Sequence, residues 1–168
     1  MKETSNNGYA MQIYALKQYI NLYELDVTES SRKLISEERP YLAASPDGIL
    51  NEETLIEIKC PYATRHQVIS PTTVPYLIYI DNKLCLKAET PYYYQVQGQL
   101  YCSNRKYCNF IVYTYKSLEV VFVNRDDEFI EQMLYKLDSF YHSYFKKAII
   151  NKYYYKNYLE IIKHDFAE

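Results

Sequence analysis

Three glycines in 168 residues leave no glycine-rich linker and no glycine-rich phosphate loop. Long apolar runs are missing too: none approaches the roughly 20 residues that a membrane-spanning helix requires. The opening Met1-Lys2-Glu3-Thr4-Ser5-Asn6-Asn7 is polar and lacks the apolar stretch of a secretory signal. An intracellular location, nuclear or cytoplasmic, with no membrane partner is therefore expected. The four cysteines, Cys60, Cys85, Cys102 and Cys108, form no CxxC pair, and no histidine pair stands at zinc spacing. Zinc is not expected, and free thiols in a reducing compartment are. A basic excess is also lacking. The net charge of -2 argues mildly against a nucleic-acid face. A local basic groove around an acidic metal site is still compatible with it.

What remains is the composition of a folded domain, 48% hydrophobic and 24% charged. The length suits one domain over 1–168, with its core in 8–150 and a helical or flexible extension over 151–168. The 22 tyrosines accompany abundant Asn, Lys and Ile. We read most of them as the mark of A/T-rich codons rather than of base stacking.

Apolar spacing predicts a helix over Tyr9–Glu24, with Met11, Ala15, Leu16, Ile20 and Tyr23 on one face. A short polar stretch leads to a strand at Lys33–Ser36. Tyr41–Ala44 then reads as a strand turning through Ser45-Pro46-Asp47-Gly48 into Ile49-Leu50. Thr54–Cys60 is a strand in which Leu55, Glu57 and Lys59 share one face and Ile56, Ile58 and Cys60 the other. Prolines at 61, 71, 75 and 91 predict irregular structure with short helical pieces. A helix over Tyr92–Cys102 carries Gln95 and Gln99 one turn apart. Tyr107–Tyr115 and Leu118–Val123 read as a hairpin, and Asp126 to about Ile150 as a long amphipathic helix. This order implies an α/β domain with a mixed central sheet of about five strands flanked by helices.

Each polar element has a bland reading. Ser-Pro-Asp-Gly is a common turn, Glu-x-Lys is usually a solvated charge pair, and glutamines at i,i+4 usually mark a polar helix face. Their combination is less ordinary. Ile56 and Ile58 read as the core side of a buried strand, so charges on the opposite face point to a cleft. Two carboxylates, Asp47 and Glu57, can hold a hard cation such as magnesium through oxygen. Ile58 points its side chain away yet can offer its backbone carbonyl as a third oxygen. Lys59 can orient a water and offset negative charge, which is what phosphodiester hydrolysis demands.

Three stretches in order complete the reading: Ala44-Ser45-Pro46-Asp47-Gly48-Ile49, Leu55-Ile56-Glu57-Ile58-Lys59-Cys60-Pro61, and Tyr92-Tyr93-Tyr94-Gln95-Val96-Gln97-Gly98-Gln99-Leu100, followed by Phe110–Thr114. They closely resemble the YqaJ-like viral recombinase family, which includes lambda exonuclease and has the restriction-endonuclease-like PD-(D/E)XK fold. The resemblance covers roughly residues 8 to 145. It implies a magnesium-dependent DNA nuclease, with manganese suiting the same ligands, and in particular a 5′-to-3′ exonuclease on duplex ends. It makes Asp47 and Glu57 side-chain metal ligands, Ile58 a backbone ligand, and Lys59 and Gln95 catalytic, with Gln99 a candidate substrate contact and Arg65 either a phosphate contact or a solvated loop arginine. It also allows a ring-shaped homo-oligomer. Two departures stand out. Gln12 occupies the position of a family glutamate that reaches the metal, and the chain begins near that helix, short of the usual N-terminal segment. The alternative is a weakened or inactive DNA-binding or structural descendant of the same fold.

Overall fold

The computed structural model describes residues 2–23, 28–29 and 33–152, and the side chains of 10–23 and 33–152. Two compact units divide the chain, Met1–Asp126 and Asp127–Glu168.

The first unit is built on a five-stranded sheet. Its strands are β1 (Thr28–Glu29), β4 (Gly48–Ile49), β5 (Thr54–Lys59), β8 (Tyr107–Tyr113) and β9 (Leu118–Asn124), in the order β1-β4-β5-β8-β9. The β5–β8 pair is parallel and the other pairings are antiparallel. The sheet is thus mixed, as expected. Between β5 and β8 run a 3₁₀ turn at Tyr62–Thr64, a hairpin of β6 (Leu77–Ile80) and β7 (Lys83–Leu86), and helix α2 (Pro91–Ser103). Two short strands, β2 (Leu34–Ile35) and β3 (Ala43–Ala44), form a separate antiparallel ribbon.

Strand β5 reads Thr-Leu-Ile-Glu-Ile-Lys, and its first five residues are all buried. Alternation sends Leu55 into one apolar cluster with Val96 and Leu100 of α2 and Phe110 and Val112 of β8. Ile56 and Ile58 enter a second cluster with Ile111 and with Ala15, Leu16 and Tyr19 of helix α1 (Lys2–Tyr23). The sheet is therefore covered on both faces, by α1 and by α2. Helix α2 has a clean start: the Thr90 hydroxyl accepts from Tyr93 N–H, and Pro91 sits in the first turn, where no N–H is needed. It stops at Asn104, which adopts the left-handed conformation at φ 52°.

Four sequence expectations are corrected. The stretch 61–91 is not irregular throughout, because Leu77–Ile80 and Lys83–Leu86 pair around Asp81 and Asn82, both at positive φ. Asx-type residues tolerate that geometry and close the turn without glycine. Residues 41–44 do not form a hairpin with 49–50: β3 pairs with β2, whereas β4 pairs with β5 and β1. Pro46, which has no N–H to donate, stands between the two pairings. The polar stretch before Lys33 contains β1, and α1 begins at Lys2 rather than Tyr9.

In the second unit, α3 (Asp127–Phe140) carries Asp127 and Glu128 in its first turn, where carboxylates favour the helix dipole. A π turn at Tyr141–Phe145 leads into α4 (Lys146–Ile150). The expected long helix is thus present but interrupted. The expectation for 151–168 lies, from residue 153 on, outside the described residues. No described helix is long and apolar enough to cross a membrane, and the four cysteines are unpaired.

Candidate active site

The β4–β5 register places Gly48 opposite Ile56 and Ile49 opposite Leu55. Continued by one residue, it sets Asp47 opposite Glu57. Two like charges facing each other across an antiparallel pair repel unless something offsets them. The Asp47 carboxylate Oδ2 accepts the Ile58 N–H at 2.7 Å, which locks Asp47 onto β5. Burial, followed by the Glu57 charge, pushes the Asp47 carboxyl up to about 6. The Ile58 N–H and Lys59 pull the other way and do not cancel it.

Glu57 is only 2% exposed, and three donors surround its carboxylate. Lys59 Nζ and Gln95 Nε2 both donate to Oε1, at 2.5 and 2.7 Å. Gln99 Nε2 donates to Oε2 at 2.7 Å. A carboxylate has about four lone-pair positions, so one remains, on Oε2. Lys59 also lies over the Tyr92 ring, 5.1 Å from its centroid. The helical i,i+4 spacing of Gln95 and Gln99 brings both amides from α2 onto one carboxylate.

The other face of β5 contributes Gln12 of α1, whose Nε2 donates to the Ile58 carbonyl at 3.3 Å. The expected backbone oxygen is therefore already touched by a neutral amide. A carbonyl has two lone pairs, so this contact leaves one free.

The fold thus brings together Asp47, Glu57, Ile58, Lys59, Gln95, Gln99 and Gln12. Arg65 stands apart from the carboxylates: its guanidinium lies over the Tyr62 ring at 4.0 Å and donates to the Tyr62 carbonyl. Gln99 is corrected as a substrate contact. It is 2% exposed, and its amide nitrogen is spent on Glu57. The i,i+4 spacing predicted its direction, but its burial is decided by the fold. The Gln99 Oε1 atom is buried with no partner.

Sequence reasoning passed over Gln97, which is fully buried. Its amide bridges Asn124 O and Asp126 N–H, both at 2.9 Å, and so ties α2 to the end of β9. It also passed over Tyr92 as the ring beneath Lys59. No local signal distinguishes that tyrosine from its neighbours.

Among the described residues, no group of three or more His, Cys, Asp or Glu converges on one point. Any cation here would rest on two carboxylates and a backbone carbonyl. That set fits the ion in kind: all the ligands are oxygen, and the crowded Asp47–Glu57 pair is short of positive charge.

No curated protein matches the sequence. The fold resembles solved structures of an alkaline exonuclease, LHK-Exo, from Laribacter hongkongensis. Its complex with dAMP superposes with a TM-score of 0.70 at 24% identity, covering 90% of this chain and 73% of that one. A second structure of the enzyme gives 0.68 at 23% identity, covering 94% and 75%. The model of the YqaJ-like viral recombinase domain matches residues 1–106, a span that holds every residue of the cluster from Gln12 to Gln99. The chain belongs to the YqaJ-like viral recombinase domain family.

Proposed function

We propose that this chain is a divalent-cation-dependent deoxyribonuclease that hydrolyses phosphodiester bonds, working as a 5′-to-3′ exonuclease on duplex DNA ends. Family and fold support the coarse part, a DNA nuclease. The observation that carries the cation-dependent hydrolysis is the facing pair Asp47–Glu57, with Lys59 on the same carboxylate, and the 5′-to-3′ direction on duplex ends rests on the family resemblance alone.

Asp47, the remaining lone pair of Glu57 Oε2 and the Ile58 carbonyl would hold the ion. Magnesium is the expected one, and manganese suits the same oxygens. When bound, such an ion polarises a phosphoryl oxygen and lowers the pKa of a coordinated water. The protein's own groups supply the rest. Lys59 offsets charge building on the phosphate and orients the attacking water. Gln95, exposed and anchored on Glu57, positions that water or a phosphate oxygen. Gln99 and the Ile58 N–H hold the two carboxylates in place. Arg65 is a phosphate contact. A ring-shaped homo-oligomer belongs to the same reading, and the mass in solution tests it.

The decisive experiment incubates end-labelled linear duplex DNA with the protein, with magnesium or with EDTA. Degradation is expected only with the ion, and only on linear DNA if the enzyme is an exonuclease. Asp47→Ala should abolish it, and Lys59→Ala should slow it on the order of 10²–10³-fold. Cleavage left unchanged by both substitutions refutes the site.

A second reading, a weakened or non-catalytic DNA-binding descendant, is favoured by one observation: Gln12 Nε2 donates to the Ile58 carbonyl that the ion needs. Retention of DNA without degradation in the same assay supports it.

A further inference from the structure

The parallel pairing of β5 and β8 has a consequence for what surrounds the carboxylates. Lys59 pairs with Val112, so both strands end at the same edge of the sheet. Open α/β sheets bind their ligands at that carboxyl-terminal edge. The chain leaving β5 makes the 3₁₀ turn Tyr62–Thr64, and the chain leaving β8 reaches Tyr115. The two exits are joined, because Tyr115 N–H donates to Arg65 O at 2.8 Å. On this seam sit two exposed rings, Tyr62 at 65% and Tyr115 at 54%. Arg65 lies over one face of Tyr62, and His66 lies 5.2 Å from Tyr115, tilted 40°. The Tyr115 hydroxyl donates to Met11 Sδ, one residue before the Gln12 that touches Ile58. Tyr115 thus reaches α1 one residue from Gln12, and Tyr62 follows Lys59 by three residues along the chain.

Exposed tyrosines usually bring a hydroxyl to water and a ring to the core. Here both rings stand in solvent, and each is held in place by a planar nitrogen-bearing group. Among the described residues Arg65 has no carboxylate partner, so its charge is available to an anion. A rigid aromatic surface paired with an unneutralised guanidinium fits a chain of flat π-systems linked by anions.

We propose that Tyr62, Arg65, His66 and Tyr115 form a stacking ledge for unpaired DNA bases beside the active site. The open faces of Tyr62 and Tyr115 take successive bases, and Arg65 takes the phosphate between them. The ledge would hold a single-stranded segment at the edge of the sheet where the strand meets the carboxylates. The partner chemistry follows from the proposed DNA substrate, but the ledge itself works without cleavage.

The test is therefore a binding measurement in EDTA. Fluorescence anisotropy compares a labelled oligothymidylate with an abasic strand of equal length and charge. The wild type should bind the oligothymidylate at least roughly fivefold more tightly, the low end of what one stacked base supplies. Tyr62→Ala with Tyr115→Ala should erase that difference while leaving abasic binding in place. Tyr62→Phe with Tyr115→Phe should keep it. If Tyr115→Ala melts early through loss of its Met11 contact, Tyr62→Ala alone must still narrow the gap. A wild type that binds both strands equally overturns the ledge, as does an alanine variant that keeps the full difference. So does an equal loss on both strands, or self-association through these rings without base-dependent binding. Failure of the magnesium assay with base-dependent binding intact would remove the nuclease reading and leave the ledge standing.

Discussion

The two faces of strand β5 differ by one residue of register and by nearly everything else. Toward α1, Ile56 and Ile58 pack with Ala15, Leu16 and Ile111 in an apolar cluster, and nearby the buried Asn109 amide donates to the Tyr19 hydroxyl at 2.6 Å. Toward α2, Leu55 joins the core, but Glu57 and Lys59 carry charge into it, met by two glutamine amides. One face buries carbon and stabilises. The other buries a carboxylate and surrounds it with donors, which costs stability unless every lone pair is met. That cost is the signature of a site, and each substitution below asks whether the two faces are as separate as they look.

The largest effect is expected from Lys59→Ala. Single-turnover cleavage of linear duplex should fall on the order of 10²–10³-fold, as for loss of one transition-state donor. Magnesium affinity by calorimetry should change far less. An equal loss of both would make Lys59 a structural partner of Glu57 only. On the opposite face, Ile56→Ala should cost about 2–5 kcal/mol in urea unfolding, yet leave cleavage by the folded fraction intact. A matching fall in specific activity would break the division between faces.

Gln99→Leu is predicted to weaken magnesium binding roughly 10–100-fold, as loss of an outer partner of a metal ligand does, with a smaller effect on melting. If only melting changes, Gln99 belongs to the packing of α2 alone. The smallest effect is a gain. The Asp47 carboxyl sits at about 6 in the fold against an ordinary 3.8. Between those values the folded state holds more protons than the unfolded state, so stability without metal falls as pH rises from about 4 to about 6. Above pH 6 the full penalty is present. Asp47→Asn, measured in EDTA at pH 7.5, should therefore raise the melting temperature by about 2–4 °C, what ~1 kcal/mol supplies in a chain of this size, while abolishing cleavage. A lower melting temperature would mean that the Ile58 N–H contact outweighs the crowding.

Much of the candidate site could be read along the chain because its elements are local. Period-two alternation puts Glu57 and Lys59 on one face, and the helical turn puts Gln95 and Gln99 on another, whatever the fold. What was missed depends on partners distant in sequence. The β6–β7 hairpin hid behind prolines and closes on Asp81-Asn82 rather than on glycine. The Ser45–Gly48 segment looked like one turn but joins two different ribbons. The resemblance offers Gln99 as a substrate contact, and its spacing gives direction and not depth.

The alternation of β5 and the pairing of glutamines on α2 were determined by the sequence alone, since both follow from backbone periods that no neighbour can change. Only the tertiary structure decided that Asp47 faces Glu57, that Gln99 is sealed inside, that Gln12 reaches across to the Ile58 carbonyl and that two tyrosines flank Arg65 at the sheet edge. Those relations are set by which strands pair and which helix covers which face, and burial across the sheet rather than spacing along the chain settles both.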